Sequence, residues 1–352
     1  MLRKILTPAI MLTTFSFANA QDSTKVPAFK LTGSADVYYR YNFENPKSAP
    51  FNNLTSFTNS HNSFELGMAS IKVEHSIGKV GMVADLGFGR RADEYSYNDV
   101  GSRVAIKQLY ISYAPSSKVK LTLGSWGTHI GYEVLDAYLN RNYSMSYMFT
   151  YGPFFHTGIK SEFTLSSKTV LMVGVSNPTD FKTASRMPKM IIAQLATGSK
   201  DDKLKAYINY QGGNFNDSGR LYQEDVVLTY ALSTKFSLGY NGTYQSKQTK
   251  INNKWTSGNS WWGSALYANL DPKPYFGLTL RVEYLDDKKN ILGFNGNVFE
   301  STLSANFKID NLIIIPEIRL DNGSLTPGIF QTSGGMPTKS TESFLLAAVY
   351  KF

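Results

Sequence analysis

Read two residues at a time, most of this chain falls into short segments with apolar side chains at one parity and polar ones at the other. At 276–284, Phe276, Leu278, Leu280, Val282 and Tyr284 alternate with Thr279, Arg281 and Glu283. At 299–308, Phe299, Ser301, Leu303, Ala305 and Phe307 alternate with Glu300, Thr302, Ser304, Asn306 and Lys308. A side-chain period of two belongs to a β-strand with unlike surroundings on its two faces. The pattern predicts about 16 strands of roughly 9–14 residues. They fall at 29–41, 63–77, 80–89, 105–114, 119–126, 154–166, 168–176, 189–197, 203–211, 221–233, 235–245, 260–270, 275–286, 298–309, 312–320 and 341–352.

The connections alternate too. Short ones (78–79, 115–118, 167, 199–202, 234, 271–274 and 310–311) are interleaved with long ones at 42–62, 90–104, 127–153, 177–188, 212–220, 246–259, 287–297 and 321–340. Soluble sandwiches have no reason to keep every long loop at one end. Membrane β-barrels do, with short periplasmic turns and long outer loops. The chain ends on Phe344-Leu345-Leu346-Ala347-Ala348-Val349-Tyr350-Lys351-Phe352. Phe344, Tyr350 and Phe352 make this an apolar stripe with aromatic ends, as expected of the strand that closes a barrel in lipid. The expected fold is an all-β, transmembrane, antiparallel up-and-down barrel, a single domain spanning 21–352 and located in the outer membrane.

Residues 1–20 read as a secretory signal peptide. Arg3 and Lys4 precede an apolar run from Ile5 to Phe17, and Ala18-Asn19-Ala20 supplies the small-residue cleavage site. Elsewhere no apolar run reaches the ~18 residues of a membrane helix. Mean hydropathy is −0.23. A barrel escapes hydropathy because only alternate residues meet lipid. The 22 Tyr and 22 Phe suit two aromatic girdles. The absence of cysteine excludes disulfides, thiolate catalysis and thiolate metal sites. The formal charge of +9 is scattered along the chain, which argues against a nucleic-acid-binding arm.

Barrels of about 16 strands enclose a lumen wide enough for water. The longest connection, 127–153, is rich in aromatics and could form a short helix around 133–140. Folded into the lumen, it would narrow the passage. Its charged residues Glu133, Asp136 and Arg141 are the expected constriction. The inward parity supplies a lining of mixed sign, including Arg40, Lys72, Asp85, Lys160, Glu162, Arg281 and Arg319. A charge on the lipid face costs about 2–4 kcal/mol near the midplane, which is why these are assigned to water. Near-cancelling signs predict weak ion selectivity, and the small polar inward residues predict an open lumen.

Three stretches carry a resemblance to a known family. They are Leu31-Thr32-Gly33-Ser34-Ala35-Asp36-Val37-Tyr38-Tyr39-Arg40-Tyr41; Gly131-Tyr132-Glu133 with Asn142-Tyr143-Ser144; and Pro153-Phe154-Phe155-His156-Thr157-Gly158. With them, nearly all of the chain after the leader resembles the OmpL-like β-barrel porins of Gram-negative outer membranes. The resemblance implies a pore for small hydrophilic solutes and brings no catalytic signature and no cofactor. Lipid and lipopolysaccharide are the implied surroundings, and trimers are known among porins of this size. The alternative functions are a non-conducting accessory barrel within a larger outer-membrane complex and, third, a barrel enzyme. Gly87-Phe88-Gly89-Arg90-Arg91-Ala92 matches a dinucleotide fingerprint by letters, but it ends an alternating strand with no helix pattern behind it.

Overall fold

A computed structural model describes residues 29–352. The leader expected at 1–20 lies outside the described residues. Sixteen antiparallel strands form the wall. They are β1 (Lys30–Asn42), β2 (Ser63–Ile77), β3 (Val80–Phe88), β4 (Ile106–Ser116), β5 (Val119–Gly127), β6 (Phe155–Ser166), β7 (Thr169–Ser176) and β8 (Met190–Gly198). Then follow β9 (Leu204–Asn214), β10 (Gly219–Ala231), β11 (Phe236–Ile251), β12 (Asn259–Lys273), β13 (Phe276–Asp286), β14 (Asn297–Ile309), β15 (Leu312–Gly323) and β16 (Ser340–Lys351). Each pairs with its neighbours in sequence, and β1 pairs with β16 from Ser34↔Lys351 to Asn42↔Ser343. Closure satisfies both edges, which lipid would otherwise leave unpaired.

The seam extends to the last residue. Gly33 and Phe352 exchange both backbone hydrogen bonds, at 3.0 and 2.9 Å. A Cβ at position 33 would stand 2.5 Å from the Phe352 ring, so only glycine lets the terminal aromatic lie against β1. Phe344, Leu346 and Tyr350 point outward, while Leu345, Ala347 and Val349 are buried inside.

Alternation sorts every strand. On β14, Leu303 is 50% exposed on the outer face, whereas Glu300, Thr302 and Ser304 are fully buried. That second observation differs from a water-filled lumen: the core of this molecule lies inside the barrel. One inner cluster joins Tyr147 and Met148 to Trp261, Ala265, Tyr267 and Leu285. Another joins Ala137 and Tyr143 to Tyr38, Ile315, Leu345, Ala347 and Val349.

Two expected long loops are strand instead. β9 and β10 are joined by four residues, 215–218, and β11 runs on to Ile251 and turns back onto Lys254–Trp255. The segment 245–250 is polar at both parities. It reads as loop because no face is apolar, yet cross-strand pairing persists where both faces meet water. The helix expected near 133–140 is a 3-10 turn, Ala137–Leu139. The helical turn sits later, at α2 (Tyr147–Tyr151), because Ser146 caps it by accepting from the Phe149 amide. Another short helix, α1 (Arg90–Tyr95), follows β3.

Leu303→Arg puts a guanidinium mid-strand on the lipid face. It should cost about 2–4 kcal/mol of barrel stability in bilayers, read by denaturant unfolding.

Candidate functional site

The connection between β5 and β6 enters the barrel and crosses it. Such a loop has no ladder of its own, so its buried amides need acceptors from the wall. Carboxylates and amide oxygens supply them. The Gly131 amide donates to Asp225 on β10 (3.1 Å), and that of Tyr132 to Asn241 on β11 (3.3 Å). Both oxygens of Glu317 on β15 accept, from the Tyr143 amide at 2.9 Å and the Ser144 amide at 3.3 Å. Both oxygens of Glu283 on β13 accept at 2.7 Å from Tyr147 and Met148, which begin α2. At the exit, Asp180 in the loop between β7 and β8 accepts from Phe154 and Phe155 at 2.7 and 3.0 Å.

Side chains complete the fastening. Tyr132 stacks on Tyr267 with ring centroids 4.0 Å apart. Asn142 donates to Ser304 (2.6 Å), and the Tyr143 hydroxyl donates to Asp36 on β1 (2.5 Å). Arg281, fully buried, bridges Glu133 of the loop (2.6 Å) and Glu300 of β14 (3.0 Å), and donates to the Ser144 carbonyl at 2.8 Å. Arg319 holds Asp321 (2.8 Å) and the Met145 carbonyl (2.7 Å). Lys107 joins Asp85 (3.1 Å) to Asp136 (2.5 Å). Arg91 of α1 lies 4.8 Å from the Phe57 and Tyr143 ring centres and 4.0 Å from Asp36. Burying charge without partners is costly, and each of these cations has at least one carboxylate.

The residues singled out from sequence divide into three groups. Glu133, Asp136 and Arg141 all lie on the inserted loop, and each is paired to the wall. Arg141 forms a two-pronged contact with Asp271 at 2.9 and 3.0 Å. Arg40, Asp85, Arg281 and Arg319 face inward but are covered: Arg40 donates to the Ser60 and Phe51 carbonyls of the first long loop, and the other three meet protein as described. Lys72, Lys160 and Glu162 lie nearer the short turns and remain partly exposed. The expected open lumen is therefore closed over much of its section. Tyr132, Glu133, Arg141, Asn142, Tyr267 and Thr279 are among the residues lining a cavity of about 20 Å³. That volume holds about one water.

Lys107, Arg91 and Asp271 were not anticipated. Lys107 turns inward through a register shift opposite Asp85 and Leu86, which period-two counting skips. Arg91 sits in a loop helix, and Asp271 in a segment that reads as turn but extends β12. The acidic loop residues Glu94 and Asp99 pair with Arg90 and Lys182. Among the described residues, no three His, Asp or Glu side chains converge to hold a metal.

Comparison with known proteins agrees with this architecture. The fold resembles the outer membrane channel DcaP of Acinetobacter baumannii, with a TM-score of 0.63 at 12% identity, covering 94% of this chain and 99% of that one. It also resembles the in-vitro folded outer membrane protein OmpT of Vibrio cholerae (TM-score 0.59, 9% identity, 94% and 99% covered). A porin refined at 1.8 Å resolution gives a TM-score of 0.57 at 10% identity, with 92% of this chain and 100% of that one covered. No curated protein matches the chain by sequence. Residues 28–352 match the family described as "Putative beta-barrel porin-2, OmpL-like", so the chain belongs to that family and is an outer-membrane porin.

Proposed function

We propose that this porin passes small hydrophilic solutes by passive diffusion, and that the inserted loop 128–154 sets what passes. The observation that carries the reading is the fastening of that loop. Its amides and side chains are bound to six wall strands from β10 to β15, and to β1 and β4. A strap held this way has one position, so it sieves by size and does not flap. Leakage occurs along whatever section the strap leaves free. The residues 1–20 would direct export and be removed. Assembly into trimers fits the family architecture and the V. cholerae OmpT described in a trimer form.

The extent of the seal favours a second reading, a barrel that conducts nothing and serves within a larger complex. Conductance separates the two. Refolded full-length protein in planar bilayers should give small ohmic steps, and deletion of residues 131–142 should enlarge them several-fold. Silence from both proteins, shown to be folded by heat-modifiable gel migration, would reject the diffusion pore.

The fastening also has a stability signature. Arg281→Met leaves Glu133 buried without its cation and Glu300 with only Arg319 at 4.0 Å, and should cost about 3–5 kcal/mol. Denaturant unfolding monitored by tryptophan fluorescence checks this.

A pH dependence follows from Asp180, outside the spanning strands. Burial pushes its carboxyl up to about 7, against the Phe155 and Phe154 amides, the Tyr97 hydroxyl and Lys182, which favour the anion. A raised pKa means that the folded protein holds a proton the unfolded chain releases. The contribution is therefore full below about pH 4 and is lost as pH rises through about 7. The melting temperature of the wild type relative to Asp180→Asn should fall between about pH 4 and 7. A flat difference would show that the carboxyl carries no such linkage.

A further inference from the structure

The loop does not treat the wall evenly. Beyond Thr128 its hydrogen bonds fall on β1, β4 and β8 to β15, and it meets β6 through the His129 ring, against that of His156 at 4.9 Å. On β5 to β7, large inward side chains (Trp126 opposite His156, and Met172, which packs with Trp126, Ile192 and Tyr110) flank a stretch of glycines. Gly124 lies opposite Gly158, Gly158 is beside Ser176, and Gly174 is beside Lys160. Polar atoms along this strip have no hydrogen-bond partner in the protein. They include Thr122 Oγ1, Trp126 Nε1, His156 Nδ1 and Ser176 Oγ, on residues that are each at least 97% buried, and Oε2 of Glu162 nearer the short turns. An unmet buried donor costs about 1–3 kcal/mol, so a polar guest that reaches these enclosed groups is stabilised there.

The charges are segregated as well. The inward acids Asp36, Asp85, Asp225, Glu283, Glu300 and Glu317 are all sealed, and each bonds to the inserted loop, to Arg281 or to Lys107. Apart from Lys107, the inward lysines are left outside the seal. Lys72, Lys120, Lys160, Lys205 and Lys308 stay partly exposed toward the short-turn end, against Glu74, Glu162 and Asp271. Lys160 stands 4.9 Å from the centre of the Trp126 ring, next to the unmet donors.

We propose that solutes pass the loop along the inner face of β5 to β7, and that this path prefers anions, with Lys160 the charge they meet. The proposal rests on the diffusion-pore reading and departs from the weak selectivity expected of a lining whose signs cancel. Donor hydrogens and an ammonium suit a hydrated anion such as chloride or a small carboxylate.

The test is the reversal potential of refolded full-length protein in a planar bilayer under a potassium chloride gradient. A chloride-to-potassium permeability ratio of about 2 or more is expected, falling toward about 1 in Lys160→Gln and below it in Lys160→Glu. Lys308→Gln, on the opposite wall, should move the ratio less. A conducting wild type with a ratio at or below about 1 overturns the anion preference but leaves the pore intact. Equal shifts from Lys160→Gln and Lys308→Gln overturn the path along β5 to β7. No conductance from folded protein overturns the pore reading and this proposal with it.

Discussion

An amide buried away from water must find an acceptor, and this one requirement shapes both the wall and what lies inside it. In lipid it forces the sheet to close, so that β1 meets β16 down to the exchange between Gly33 and Phe352. In the lumen it forces the crossing loop to borrow acceptors. Glu283 and Glu317 each serve two loop amides, and Asp225 and Asn241 serve one apiece. A carboxylate is suited to this because it accepts through two oxygens and donates nothing.

Using acids as anchors has an electrostatic consequence. A carboxylate hidden under the loop needs a cation or several donors, which is why Arg281 and Lys107 are buried with them. Arg281 reaches Glu133, Glu300 and the Ser144 carbonyl at once, so one side chain ties loop to wall and neutralises the site. Lysines at the short-turn end have no such duty. The wall thus carries two populations of inward charge, one structural and dry, the other still in contact with water.

Strand number, face assignment and the closing strand were legible locally, because the contrast between lipid and not-lipid repeats every second residue. The inner core had a signal too. Leu312, Ile313, Ile314 and Ile315, and Leu345, Ala347 and Val349 beside their outward neighbours, are apolar at both parities. A strand apolar on both faces is buried on both. Here the second burial partner is Ala137 and Tyr143 of the inserted loop. The hairpin extensions of β9 to β11 were illegible for the opposite reason, since both of their faces meet water and no contrast is written.

By itself the sequence determined a closed antiparallel barrel, its lipid face and the identity of the loop that enters it. Only the tertiary structure decided what each inward residue meets. Parity says that Glu283 and Lys160 both turn away from lipid, but the period of two is blind to what fills the space beyond. That filling comes from a loop whose partners lie far along the chain, as Asn142 and Ser304 do at 162 residues' separation, and contacts of that range leave no local pattern.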